Sequence, residues 1–367
     1  MEGEMSLKIS NSKRIIQLDI IRAIAISFVV LCHCVETVYM VTSSGWNAVS
    51  EQSGLFMISS FTLGRLGVPL FLFLTGALVL QKNISNDEDV FKFYKKNLIP
   101  LIITNTIWIF IYNLFFYIKN DFVDLNIEDL IKEIFFLKQV PFSNMWYMPM
   151  IIGIYLVIPF LSKIIKSFSF KAILTLLITI FVTSFIIPFI NIWLNINSLE
   201  SIYSIVDFNF FGGLYGVYII LGYYSYIKKV KIKNWIYILI GVVTFGFTVF
   251  IQLYSHTNGN NAYFVWYDFP FLLISALCIF NFLISIKFTH FNRVFDRVII
   301  FVSKASLSFF FIHVIILNLF KDFFEKINIM MPIKVVLLFL ITFSICFIIS
   351  YIISRFRKIS KYVILYK

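Results

Sequence analysis

The segment LDIIRAIAISFVVLCHCVE, residues 18–36, is apolar but carries ionisable side chains suited to acid–base chemistry. On an α-helix, the 11 residues from Arg22 to His33 make close to three turns, so both side chains project from one face. At a rise of about 1.5 Å per residue, they stand about 16 Å apart along the axis. Asp19 lies one turn from Arg22, and Glu36 lies one turn from His33. The face therefore presents two polar positions, one at each end.

His33 is the side chain here best suited to accept a proton near neutral pH, and Glu36 is placed to orient its ring. A charged group at the centre of a bilayer costs about 2.5–3.5 kcal/mol on a lenient scale, so such groups usually mark function. The pattern predicts acid–base catalysis at His33. Two structural explanations stay open: a simple interfacial ion pair between Asp19 and Arg22, and a His33 ring bonded only to a carbonyl.

Arg65 and His313 fall within other apolar segments of the chain. Counting residues places Arg65 near the depth of His33, where its positive charge would favour a neutral imidazole base. His313 lies near the middle of a late apolar segment, and both a structural and a functional role are open. We count Arg65 with His33 and Glu36 as candidate catalytic residues, and His313 as a candidate pocket residue.

Four further candidates stand at the ends of apolar segments. Lys95 and Lys96, in FYKKNLIP, either follow the general preference for basic residues on the cytoplasmic side or bind phosphates. Trp146 and Tyr147 either belong to the aromatic belt of the membrane interface or stack on a sugar acceptor. The adjacent Cys32-His33-Cys34 triplet does not predict a metal site, because consecutive helix residues point about 100° apart.

The elements that must hold these residues are apolar helices. Of the 367 residues, 60% are hydrophobic and 14% charged, a composition typical of membrane proteins. Apolar runs of about 18 residues or more, long enough to cross a core of about 30 Å, recur along the chain. The sequence predicts an all-α, polytopic membrane bundle of about ten transmembrane helices in a single integral domain, residues 1–367. The predicted spans are 16–38, 55–80, 98–118, 145–162, 171–193, 208–227, 234–254, 267–286, 298–320 and 332–354.

The distribution of basic residues predicts the orientation of the bundle. With both termini in the cytoplasm, the cytoplasmic segments carry 23 Lys and Arg residues and the outer segments carry six. This asymmetry follows the positive-inside rule. It also accounts for most of the net charge of +12, and no basic face with interleaved aromatic residues indicates nucleic-acid binding. In the longest outer segment, IEDLIKEIFF predicts either a short amphipathic helix or a solvated connector.

Five motifs, in order, resemble the acyltransferase-3 family of membrane-bound O-acyltransferases. LDIIRAIAISFVVLCH is similar to its first-helix signature, with Asp19, Arg22 and His33 at the signature positions. GRLGVPLFLFLTGALVL is similar to the second-helix signature, which here includes Arg65 and Pro69. Three further segments resemble later parts of the family pattern: FYKKNLIPLI, WYMPMIIGIYLVIPFL and SLSFFFIHVIIL.

The resemblance implies a multi-pass enzyme of the plasma membrane that transfers an acyl group from acyl-CoA, with acetyl-CoA the expected donor, to a glycan or other envelope acceptor. It implies no metal, and it makes no prediction of oligomeric state. Asp19, Arg22, Lys95 and Lys96 are then the candidate donor-binding residues. Transfer would be direct or through a transient acyl group on His33.

The sequence departs from the family pattern at two places. Some members have an acidic residue about ten positions after the first-helix His, where this chain has Ser43, so Glu36 is the expected partner acid. Many relatives have Arg where this chain has Lys95 and Lys96, which removes bidentate phosphate geometry. A different class also remains open: a transporter or exporter of a polar or lipid-linked envelope precursor, with the same ionisable residues as a proton relay. A membrane scaffold protein is a third.

Overall fold

The computed structural model is predominantly helical in the part of the chain that it describes, and that part contains no β-strand. The prediction of an all-α membrane bundle is confirmed. The described residues are 15–42, 45–46, 51–119, 126–140, 142, 144–197, 199–204, 213–228, 232–258, 263–286 and 292–366.

The α-helices follow the predicted spans in order, several spans are divided into consecutive helices, and short helices such as α6 and α15 lie outside the predicted spans. In the first half of the chain they are α1 (Ile16–Tyr39), α2 (Glu51–Arg65), α3 (Gly67–Val79), α4 (Asp87–Phe93), α5 (Ile99–Lys119), α6 (Ile127–Ile134), α7 (Tyr147–Ser167), α8 (Phe170–Phe181) and α9 (Ile187–Ile196). In the second half they are α10 (Gly213–Lys228), α11 (Asn234–Thr257), α12 (Pro270–Ser285), α13 (Arg293–Lys326), α14 (Met331–Arg355) and α15 (Arg357–Val363).

Eight of the described helical segments are long and apolar enough to cross a membrane. The other two predicted spans correspond to α10 and α12, each of 16 residues. A helix of that length extends about 24 Å, somewhat less than a typical hydrocarbon core. The start of the predicted span 208–227 lies outside the described residues. The count of about ten is compatible with the structure, and the cytoplasmic location of the termini stays a prediction.

Prolines explain where the long helices change geometry. Pro69 has no N–H, so the carbonyl of Arg65 lacks its usual partner one turn later. The chain accordingly breaks at Leu66, between α2 and α3, and leaves Arg65 at the end of α2. Two π-helical turns, Tyr94–Leu98 and Val182–Ile186, likewise end two residues before a proline.

A glycine sets the distance between α1 and α2. A Cβ atom added to Gly64 would lie 2.7 Å from the backbone of Cys32, which is closer than side chains tolerate. Membrane helices commonly pack through such small residues because these let the backbones approach. The contact places Arg65, the next residue, beside the part of α1 that carries His33.

The segment between α5 and α7 enters the bundle. Its short helix α6 confirms the predicted helix, with Ile127 exposed while Leu130 and Ile134 pack against the core, and its location at the outer membrane interface stays a prediction. Further along, Asn144 is buried and its Nδ2 donates to the carbonyl oxygen of Phe310 on α13, at 3.1 Å. Residues 126–146, of which 141 and 143 are not described, are called the connector below. Its inner part therefore forms part of the packed bundle.

Candidate active site

Helices α1, α2, α3, α7 and α13, together with the connector, enclose a cavity of about 610 Å³, called the main cavity. This volume is typical of sites for small molecules. Arg22 lies near the Asp19 end of α1, and His33 with Glu36 near its other end, so the cavity follows the predicted polar face. Six of the predicted site residues line it: Arg22, His33, Glu36, Arg65, Trp146 and Tyr147.

His33 and Glu36 are paired within this cavity. Nδ1 of His33 lies 2.6 Å from Oε2 of Glu36, a distance typical of a strong hydrogen bond. An ionised carboxylate can only accept, so the shared proton belongs to Nδ1. Nε2 of His33 is then left with a lone pair, which is the form that can take a proton from a substrate.

His313 lies next to His33 but outside the cavity wall. The ring centroids are 5.2 Å apart, and His313 is fully buried. Its Nδ1 lies 2.8 Å from the carbonyl oxygen of Phe309, and because a carbonyl only accepts, this nitrogen carries the proton. Its Nε2 has no hydrogen-bond partner among the described residues. His313 therefore supports the His33 ring by packing.

At the Asp19 end, Ser303 of α13 connects Asp19 with Arg22. Its hydroxyl donates to Oδ1 of Asp19 at 2.6 Å and accepts from Nη1 of Arg22 at 3.2 Å. The direct distance between the charged groups is 4.0 Å. Asp19 is buried behind Arg22 and does not face the cavity. Asp19 and Ser303 therefore position Arg22, which is the residue that a ligand would meet.

Aromatic rings surround the guanidinium of Arg65. Its central carbon lies 3.9 Å from the ring centroid of Trp266 and 4.8 Å from that of Phe61. Rings at these distances attract a cation through their negative faces. Nε of Arg65 is buried and has no hydrogen-bond partner among the described residues. The charge is thus held in place largely by rings, with donor capacity left for a ligand.

Trp146 extends this aromatic group. Its ring centroid lies 5.4 Å from Tyr267, 6.0 Å from Tyr215 and 6.2 Å from Trp266. Tyr147, the next residue, packs against Phe310 at 5.4 Å. The structure therefore brings the predicted pocket pair to the cavity wall beside Arg65.

Comparison with protein families gives a match to the acyltransferase domain of the acyltransferase-3 family. The match covers residues 15–351, which is nearly the whole chain and includes every predicted site residue. The chain belongs to this family. It is therefore a membrane acyltransferase, and the resemblance to the family is confirmed. Comparisons with curated proteins and with solved structures gave no match.

Two of the predicted donor-binding residues of the acyltransferase are exposed and lie outside its main cavity. Lys95 and Lys96 are exposed on the π-helical turn that precedes α5, and neither lines the cavity. A long, flexible anion such as CoA would have to extend beyond the cavity mouth to reach them. Their binding of phosphates stays a prediction.

Several residues of the acyltransferase site were not predicted from the sequence. Ser303 and Ser306 lie one turn apart on the helix of His313, and this spacing was a usable signal. Tyr263, Trp266 and Tyr267 belong to the segment between α11 and α12, where no helical periodicity draws attention to them. Within the described residues, no group of three or more His, Cys, Asp or Glu side chains is placed to hold a metal ion.

Proposed function

We propose that this acyltransferase transfers an acyl group, expected to be acetyl from acetyl-CoA, to a hydroxyl of a glycan or other envelope acceptor at the plasma membrane. His33 is the general base. The observation that carries the proposal is the His33–Glu36 pair, which lies in a single cavity that also contains Arg22 and Arg65.

The Asp19 end of the cavity suits the donor. The distribution of Lys and Arg predicts that this end faces the cytoplasm, where acyl-CoA is found. Arg22 supplies a positive charge there, and the lining between Arg22 and His33 includes apolar residues such as Leu74 and Leu78. A thioester on a narrow, uncharged arm can extend along such a lining, while the phosphates remain at the cytoplasmic surface.

The acceptor approaches from the other end. Nε2 of His33 removes the hydroxyl proton as the acceptor oxygen attacks the thioester carbonyl carbon. The tetrahedral intermediate then breaks its carbon–sulfur bond, and the CoA thiolate takes the proton back from the imidazolium. Glu36 stabilises the imidazolium, and the Arg65 guanidinium stabilises the oxyanion. The products are an acyl ester and CoA.

The test uses the purified full chain in lipid nanodiscs with labelled acetyl-CoA and envelope material from cells that lack the protein. We expect His33→Gln to lower transfer by about 10²- to 10⁴-fold, the usual contribution of a general base. The matched control is His256→Gln, because His256 stacks on Trp46 and does not line the main cavity. Undiminished transfer by His33→Gln at equal protein level would refute the role of His33.

Native mass spectrometry of the protein at neutral pH during turnover separates the two forms of the reaction. Direct transfer leaves no label on the protein. A transient acyl-His33 leaves label that chases into the acceptor when unlabelled donor is added, and that is missing from His33→Gln.

A further inference from the structure

A second cavity, of about 290 Å³, lies beside the main cavity. It is formed by α5, the start of α7 and the connector. Among the described residues, Trp146 is the residue that lines both cavities. Trp146 therefore lies between the site of the chemistry and a neighbouring compartment.

The second cavity is lined by neutral amides and a carboxyl group as well as apolar residues. Asn105 lines this cavity and is only 1% exposed, and its amide oxygen is buried without a hydrogen-bond partner among the described residues. A buried polar atom of this kind is costly unless a ligand or water satisfies it. Glu133 is also buried, and one of its oxygens accepts a hydrogen bond of 2.8 Å from Asn113. Gln139 stands on the exposed side of the cavity.

The charges of this compartment argue against an anionic ligand. Lys138 is the lining residue with a positive charge, and its Nζ is already 2.7 Å from Oδ2 of Asp129. Glu133 would repel a phosphate or carboxylate if ionised. Amide and carboxyl oxygens instead accept hydrogen bonds from hydroxyl groups, and the face of a tryptophan ring packs against the C–H face of a pyranose. The chemistry fits a neutral ring that is rich in hydroxyl groups.

We infer that the second cavity is an acceptor subsite, which binds the neutral sugar residue adjacent to the one acylated beside His33. This inference rests on the proposed function, and it narrows the acceptor to an oligomeric or polymeric neutral glycan. Two linked rings would lie on the two sides of Trp146, one in each cavity. Asn105 and Glu133 fix the orientation of the second ring, and hence which hydroxyl of the first ring reaches Nε2 of His33.

The experiment measures kcat/KM for acetyl transfer to neutral N-acetylglucosamine oligomers from mono- to trisaccharide, with the full chain in nanodiscs. The expected result is a trisaccharide-to-monosaccharide ratio well above one. Asn105→Leu, which keeps the branched shape of the side chain but removes its polar atoms, is expected to lower this ratio about tenfold, equivalent to about 1.4 kcal/mol. Gln139→Ala provides a second variant at an exposed position that is not needed for packing. Asn318→Leu is the control, because the amide of Asn318 bonds within α13 and lines neither cavity.

Binding of the same trisaccharide, followed as a shift in thermal stability, gives a readout that needs no transfer. Stabilisation of the wild type that is lost in Asn105→Leu and Gln139→Ala supports the subsite, even where no acetyl group is transferred to these sugars. Two results would overturn the inference. In the first, the wild type and all three variants show the same trisaccharide-to-monosaccharide ratio of kcat/KM and the same shift in thermal stability. In the second, the wild type neither binds the trisaccharide nor prefers it to the monosaccharide. Acetylation of envelope material in that case would leave the proposed function standing. Binding without acetylation of any acceptor would instead remove the proposed function and keep the subsite.

Discussion

Oε2 of Glu36 lies 2.6 Å from Nδ1 of His33, one helical turn away on the same face of α1. Both partners therefore move together as parts of one rigid helix, and the tautomer of the ring follows from the carboxylate. A preorganised pair of this kind needs little rearrangement during proton transfer.

Replacing the carboxylate of Glu36 with a neutral group should slow acyl transfer, although the His33 side chain is still present. We expect Glu36→Gln to lower kcat about 10- to 100-fold, because the amide stabilises the imidazolium less than a carboxylate does. The double variant His33→Gln/Glu36→Gln should be no slower than His33→Gln alone, since Glu36 acts through the ring. Steady-state kinetics of the three variants tests this. If the losses in kcat of the two single variants instead multiply in the double variant, Glu36 does not act through the His33 ring.

Arg65 should not be replaceable by lysine. The central carbon of the guanidinium lies 3.9 Å from the ring centroid of Trp266, and an ammonium group lacks the planar shape and the fixed set of donors that a guanidinium presents at such a site. We expect Arg65→Lys to keep the charge but lower kcat at least tenfold, with a smaller effect on the KM for acyl-CoA. The matched comparison is Arg357→Lys, at the start of α15 and away from the main cavity. Wild-type turnover by Arg65→Lys would show that geometry at this position is unimportant.

The pairing of His33 with Glu36 could be predicted because both residues belong to one helix. The apolar run identifies the helix, and its 3.6-residue period fixes which side chains share a face. Helix ends were less predictable. The ninth predicted span, 298–320, corresponds to α13, Arg293–Lys326, because a hydropathy pattern marks only the apolar part of a helix that continues beyond it.

The surroundings of Arg65 could not be predicted in the same way. Trp266 and Tyr267 are about 200 residues away in sequence and lie in a segment without periodicity. Their approach depends on the packing of α2 against α11 and of α3 against α12, which no local pattern specifies. The same holds for Asn144, whose contact with α13 requires the connector to fold into the bundle.

Gly64 should be indispensable for the relative positions of Arg65 and His33. A methyl group at Gly64 would overlap the backbone of Cys32, so α2 must move away from α1. We expect Gly64→Ala to lower the melting temperature and to reduce transfer, since overpacking typically costs about 1–3 kcal/mol. Gly153→Ala is the control, because a Cβ atom there meets nothing within 4 Å. Equal melting temperatures for both variants would contradict the close approach of the helices.

The docking of α6 should weaken as the pH rises. Burial raises the pKa of Glu133 above its usual value of 4.5, while Asn113 and Lys138 oppose the shift and Asp129 adds to it. The protonated form is thus favoured in the folded protein. Its contribution to stability is fully present below pH 4.5 and is lost as the pH passes the raised pKa.

Glu133→Gln should remove this dependence, because glutamine stays neutral and can still accept from Asn113. At neutral pH, we expect the backbone amides of residues 127–140 to exchange hydrogen more slowly in the variant than in the wild type, after correction for intrinsic rates. The difference should shrink toward pH 4.5. Glu128→Gln, at an exposed position of α6 where the carboxylate pairs with Lys132, controls for a general loss of charge. A wild-type protection that increases with pH would contradict the buried position of Glu133.

The C-terminal segment should control entry of the donor. Trp108 donates from Nε1 to the carbonyl of Val363 at 2.7 Å, and Leu365 lines the main cavity together with Arg22. Because the donor is proposed to enter at this end, a larger side chain at Leu365 narrows its path. We expect Leu365→Trp to raise the KM for acetyl-CoA about tenfold, a cost of about 1.4 kcal/mol, with little change in the KM for the acceptor. Leu114→Trp, at an exposed position of α5, is the control. A Leu365→Trp variant that raises only the acceptor KM would place the donor at the opposite end of the cavity, and with it reverse the proposed direction of transfer.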